Sequence, residues 1–141
     1  NYDNVIYLLE NKYKIDISKF KTYAERFAIN NEIELFKLIL DFNPNIDFTY
    51  SFQKASEKKY FEILKLILEK LNSGLIINLQ KCLENSVKQS DFESTKLILE
   101  TKFNFDIFLI FDFLVNNFEI DFLIFKINFA TAQKINTTYV L

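Results

Sequence analysis

The chain has 141 residues, half of them apolar and 26% charged, which is the composition of a folded globular domain rather than of a disordered segment. One glycine, one proline and no histidine exclude glycine-rich phosphate loops, G-x-S-x-G nucleophile turns and histidine-based catalysis or metal binding. The formal net charge is −2 without any basic block, so the sequence carries no nucleic-acid signature, and the single cysteine forms no disulfide within the chain.

In chain order, one apolar string recurs along the whole sequence. It is weak as "VIYLL" at 5–9, full as "FKLIL" at 36–40, "LKLIL" at 64–68 and "TKLIL" at 95–99, and weak again as "FLIF" at 122–125. The three full copies are 28 and 31 residues apart. A fixed period of this length is typical of a repeat protein.

Each full copy carries the same pattern of charges. In the first of them Glu34, Lys37 and Asp41 stand at i, i+3 and i+7, which places them on one narrow stripe of a helix. The remaining positions are apolar and cover an arc of roughly 220°, much wider than the stripe of about 100° that a surface helix needs. We therefore expect each copy to be a helix covered on two or three sides, with Leu66 of the second full copy buried between neighbouring repeats.

A shorter helical segment precedes each of the later copies, at roughly 18–29, 49–58, 79–88 and 107–115. Polar residues join the two helices of a pair, and the return connection "DFNPNIDF" at 41–48 offers Pro44 and Asn45 for a tight turn. The sequence therefore predicts an all-α protein made of antiparallel helix pairs, one about every 30 residues.

These strings resemble the ankyrin repeat family. The second-helix strings "EIELFKLILDFNPNID", "FEILKLILEK" and "DFESTKLILETKFNFD" are similar to the family's Glu-Ile-Val-Lys-Leu-Leu-Leu-Glu run and its Ile-Asp tip. The family's Thr-Pro-Leu-His opening is missing, and its glycine between the helices is replaced by Asn31, Lys59, Ser90 and Asn116. The resemblance implies a solenoid of four to five ankyrin-like helix pairs over residues 1–128, divided as 1–17, 18–48, 49–78, 79–106 and 107–128, with 129–141 as a cap or tail.

No catalytic constellation is present in the sequence. Cys82 falls inside a predicted helix with no histidine to activate it, so it is interpreted as a structural thiol. Glu34, Glu62 and Glu93 recur at the repeat period, so their spacing is that of the fold rather than of a carboxylate pair. No segment has the dense acidic pattern and glycine of a calcium loop. We expect no enzyme activity, no cofactor and no metal.

The Phe-rich stretch 103–129 is the most apolar part of the chain. Five charged residues interrupt it, so it is read as protein core rather than as a membrane span. Helix 107–115 is apolar on every side except at Asp112, which predicts that the tail 129–141 or another chain covers it.

The resemblance implies a protein–protein interaction module that presents a concave surface to a protein partner. The lone Cys82 fits a reducing compartment, so a cytoplasmic location is expected. The alternative is a structural or spacer subunit of a larger intracellular assembly that docks through the Phe-rich C-terminal repeat. Carried over from the family, the partner-binding positions are the residues before each inter-helix turn and the projecting tips. They are Lys19, Lys21, Ile29, Asn30, Asp47, Thr49, Glu57, Lys58, Asn78, Gln80, Lys88, Gln89, Leu114 and Val115. Phe111 joins them as a candidate because it lies on the apolar helix 107–115, which another chain would cover.

Overall fold

The computed structural model describes residues 3, 6–7, 17–42, 44–101, 103–106 and 108. Within these residues the regular structure is helical, apart from one isolated β-bridge between Asp47 and Ile76. The described part of the chain is therefore all-α, as predicted. Its helices are α1 (Ile17–Ile29), α2 (Ile33–Phe42), α3 (Thr49–Glu57), α4 (Phe61–Glu69), α5 (Leu79–Lys88) and α6 (Phe92–Leu99), with a short 3-10 turn at Leu71–Ser73 after α4.

The turn inside each helix pair has the same geometry three times. Asn31, Lys59 and Ser90 have φ angles of 55°, 60° and 55°, which is the left-handed region that usually requires glycine. In all three turns the N–H of the following residue donates to the carbonyl five residues earlier at 2.9 Å, and the N–H of the left-handed residue donates to the carbonyl three residues earlier at 3.0–3.4 Å. This pair of bonds is the Schellman motif, which satisfies the last carbonyls of the first helix. The three turns thus share one geometry although none of them carries a glycine.

The helices form two layers. α1 contacts α3 and α3 contacts α5, while α2 contacts α4 and α4 contacts α6. Within each pair, α1 packs on α2, α3 on α4 and α5 on α6. We call α1, α3 and α5 the first-helix layer, and α2, α4 and α6 the second-helix layer.

Small buried residues allow the first helices to approach one another. Ala28, Ala55 and Ser86 are completely buried, and Ser56 is 1% exposed. Large apolar side chains fill the space between the layers, and among them Phe36 packs edge-on against Phe48 with ring centroids 6.1 Å apart. The core is therefore continuous across the described pairs.

One expectation about the second-helix layer is wrong. Leu66 is only half-buried, whereas Ile63, Leu64 and Ile67 have no exposed surface. At 100° per residue, Leu66 lies at the edge of the apolar arc beside the polar stripe that contains Lys65. The wide apolar arc was correct, but its buried centre lies on Ile63, Leu64 and Ile67.

Candidate partner-binding surface

The predicted positions at the helix ends lie on the outside of the first-helix layer. At α1, Lys19 and Lys21 are exposed near its start, Ile29 is half-buried at its end, and Asn30 follows in an exposed position. At the ends of α3 and α5 the four predicted residues are all exposed: Glu57, Lys58, Lys88 and Gln89.

A row of polar contacts joins α3 to α5 on this outer side. Gln89 donates its Nε2 to Oε1 of Glu57 at 3.2 Å, and the Nζ of Lys54 reaches Oε2 of the same carboxylate at 3.2 Å. Lys54 also lies 5.4 Å from the centre of the Tyr50 ring, a cation–π distance. The hydrogen bond to Glu57 raises the pKa of Lys54, so this ammonium stays charged. The structure thus brings together two predicted residues, Glu57 and Gln89.

Sequence reasoning missed Tyr50 and Lys54 in this row. Tyr50 is 43% exposed, and Lys54 is half-buried. The signal that identifies them is their spacing, because residues 50, 54 and 57 stand at i, i+4 and i+7 and share one helix face.

The tip residues are engaged with one another. The Thr49 hydroxyl donates to Oδ1 of Asp47 at 2.6 Å and accepts from the backbone N–H of Asn78 at 2.8 Å. Thr49 is only 7% exposed, while Asp47 and Asn78 are exposed. Asn78 also caps α5 by accepting the N–H of Lys81 at 3.0 Å. Thr49 and Asn78 therefore hold neighbouring tips together, and their contact with a partner stays a prediction.

The next tip is joined in the same way by Gln80. Its side-chain amide donates to the carbonyl of Asp106 at 3.2 Å and accepts the N–H of Asp106 at 2.9 Å. Gln80 is half-buried and belongs to this tip-to-tip contact.

A cleft of about 420 Å³ lies between the segment 71–80 and the segment 103–105, next to the contact between Gln80 and Asp106. Its walls are mostly apolar, and Phe103 at its edge is 48% exposed. The cleft is lined by Leu71, Leu75, Ile77, Asn78, Leu79, Gln80, Phe103, Asn104 and Phe105. Phe111, Leu114 and Val115, the predicted apolar end of the surface, lie outside the described residues, as do nearly all of 107–128 and the whole of 129–141.

A buried polar network lies on the other side of α3 and α5. Asp91, 8% exposed, caps α6 by accepting the N–H of Ser94 at 3.1 Å, and its Oδ2 accepts the Ser56 hydroxyl at 3.1 Å. Thr95 bonds the Asp91 carbonyl at 2.7 Å and the Ser86 hydroxyl at 2.8 Å. The carboxylate is occupied by structural contacts between successive helix pairs.

Cys82 is 1% exposed on α5, and burial raises the pKa of its thiol to about 12. It is therefore a neutral thiol at physiological pH, in agreement with its interpretation as structural. Among the described residues no group of three metal-ligating side chains comes together. In the same part of the chain, every helix is too short or too polar to cross a membrane.

The fold and this surface are those of an all-α protein built from stacked helix pairs. The chain is similar to a protein of Acanthamoeba polyphaga mimivirus that is described as an ankyrin repeat protein, with 27% identity over 82 residues. The aligned part covers 57% of this chain and 70% of that protein. No family model matches the chain. No solved structure matches it either.

Proposed function

We propose that this chain is an ankyrin-type solenoid module that binds another protein through the outer face of its first-helix layer. The observation that carries the proposal is one turn that occurs three times, each time with a left-handed residue and the same 2.9 Å hydrogen bond. The helix pairs that contain these turns pack side by side, first helix against first helix and second helix against second helix. Stacked repeats produce an extended surface to which every repeat contributes one patch.

The distribution of exposed polar residues supports the choice of face. Glu57, Lys58, Lys88 and Gln89 project from adjacent helix ends, and the Glu57–Gln89 hydrogen bond joins their patches into one surface. The second helices instead use their wide apolar arcs to hold the stack together.

Selection of a random displayed peptide library on the immobilised full chain tests this proposal. Selected peptides should lose binding to the Lys58→Glu/Lys88→Glu variant and keep binding to Lys65→Glu, which changes an exposed lysine on the second-helix layer. Equal loss in both variants, or the absence of any peptide sensitive to Lys58 and Lys88, contradicts the assignment of the face.

A spacer subunit that docks through its C-terminal repeat is the second candidate. It is favoured by the exposure of Phe103, at 48%, which lines the apolar cleft, and of Phe108, at 75%, which follows it in the sequence. Phe108→Ser, at the exposed start of that repeat, would weaken assembly in that case and leave the selected peptides bound, so the two functions are separable.

A further inference from the structure

The two helix layers carry opposite charge, although the chain as a whole is nearly neutral. Helices α2, α4 and α6 of the second-helix layer, with the cap residues Lys70, Asp91 and Glu100, hold four lysines and seven carboxylates, a net charge of −3. Helices α1, α3 and α5, with the cap residue Lys58, hold seven cations and three carboxylates, a net charge of +4. The cations of the first-helix layer are Lys19, Lys21, Arg26, Lys54, Lys58, Lys81 and Lys88.

These cations face outward. Six of the seven are exposed, and the seventh, Lys54, is half-buried. Among the described residues, the salt bridges of this layer use one of the seven, again Lys54, through its contact with Glu57. The other two carboxylates of the layer, Glu25 and Glu84, are half-buried. The outermost charges of the proposed binding face are therefore mainly positive.

We propose, on the basis of the function proposed above, that the partner presents an acidic segment to this face. Complementary charge steers such a segment to the surface and suppresses partners of like charge. Three packed helices at 8–10 Å spacing span about 20 Å, which corresponds to about six residues of extended chain. The occupant is thus a short run rich in aspartate and glutamate.

A protein segment fits this face better than a nucleic acid. Glu57 lies within the row that joins α3 to α5 and accepts hydrogen bonds from Lys54 and Gln89, so a carboxylate interrupts the cations where a phosphate backbone would lie. The amide of Gln89 and the ring of Tyr50 offer contacts that suit a peptide side chain.

The test is fluorescence anisotropy of the full chain with three labelled probes: an Asp/Glu-rich peptide containing one tyrosine, a peptide of the same length rich in lysine, and a short DNA duplex. We expect the acidic peptide to bind, and its affinity to fall about tenfold or more between about 0.05 M and about 0.5 M NaCl. The lysine-rich peptide should not bind, and the duplex should bind more weakly than the acidic peptide.

Matched charge reversals locate the site. Lys58→Glu/Lys88→Glu should weaken binding of the acidic peptide about tenfold or more, whereas Lys65→Glu/Lys96→Glu, with the same change of net charge, should weaken it less than about threefold. All four lysines are exposed, and circular dichroism verifies that both variants fold.

Failure to bind the acidic peptide, equal loss in the two variants, or tighter binding of the duplex overturns the proposal. The peptide library separates this failure from failure of the proposed function. If the selected peptides are neutral or basic and still lose binding to the Lys58→Glu/Lys88→Glu variant, the chain is an interaction module but its partner is not acidic.

Discussion

Replacing Lys59 by glycine should stabilise the protein, although it removes a side chain. Lys59 occupies the left-handed position of the turn between α3 and α4 with φ at 60°. Its side chain is exposed, so little packing is lost. An L-residue in this region costs roughly 1–2 kcal/mol because Cβ crowds the backbone, and glycine removes that cost. Glycine also gives the unfolded chain more freedom, which offsets about 0.4–1 kcal/mol. The expected net gain in the free energy of unfolding is about 0.5–1 kcal/mol.

The neighbouring lysine is the matched control. Lys58 has φ at −92° and ψ at −1°, a right-handed conformation that any residue adopts. Lys58→Gly relieves no strain and only increases the conformational entropy of the unfolded chain, so it should destabilise the protein by about 0.5–1 kcal/mol.

Urea unfolding followed by far-UV circular dichroism measures both changes. Two adjacent lysines should thus give effects of opposite sign. A loss of stability in Lys59→Gly, or the same sign for both variants, refutes the left-handed conformation of Lys59 in this turn.

Three further predictions concern the core and its polar contacts. Asp91→Ala removes a helix cap worth about 0.5–2 kcal/mol and leaves the buried Ser56 hydroxyl without its partner. The free energy of unfolding in urea should therefore fall by about 2–4 kcal/mol, and by less when Ser56 is already alanine. Ile67→Asp places a charge at a fully buried site and should cost several kcal/mol, whereas Lys65→Ala should change stability by less than about 0.5 kcal/mol; equal effects would contradict the helix phase. Cys82 should react slowly with iodoacetamide in the native protein at mildly alkaline pH and rapidly in urea, because burial raises its pKa to about 12; equal rates would contradict its burial.

The helix boundaries were predictable because they depend on local patterns. The expected first helices at 18–29, 49–58 and 79–88 agree within one residue with α1, α3 and α5. Charged stripes and apolar arcs at helical spacing define these segments without reference to the rest of the chain. The position of the turns was equally local, since Asn31, Lys59 and Ser90, three of the four positions that the ankyrin resemblance marked as turns, take positive φ, while Asn116 lies outside the described residues.

The contacts between helix pairs were harder to predict from the sequence. Thr49 and Asn78 are 29 residues apart, and Gln80 and Asp106 are 26 apart, so no local pattern shows that they bond. Leu66 was misplaced for a related reason: when most of a helix is apolar, the neighbouring helices decide which part of the arc is fully covered. The charge of the first-helix layer was visible residue by residue as a mixture of signs, and it becomes a net +4 only when the helices and the cap residue Lys58 are sorted by layer.

The nearest-neighbour pattern of helix contacts also has a consequence for how the chain folds. Each described helix makes its main contacts with helices one or two steps away along the sequence. Loop closure for such contacts is inexpensive, and topologies of this kind fold quickly. A helix pair completes its contacts with other helices only after an adjacent pair has formed. Folding therefore starts at one pair and spreads outward as the next pair docks on it. The pair α3–α4, which is flanked on both sides within the described chain, is the natural place for that nucleus to form.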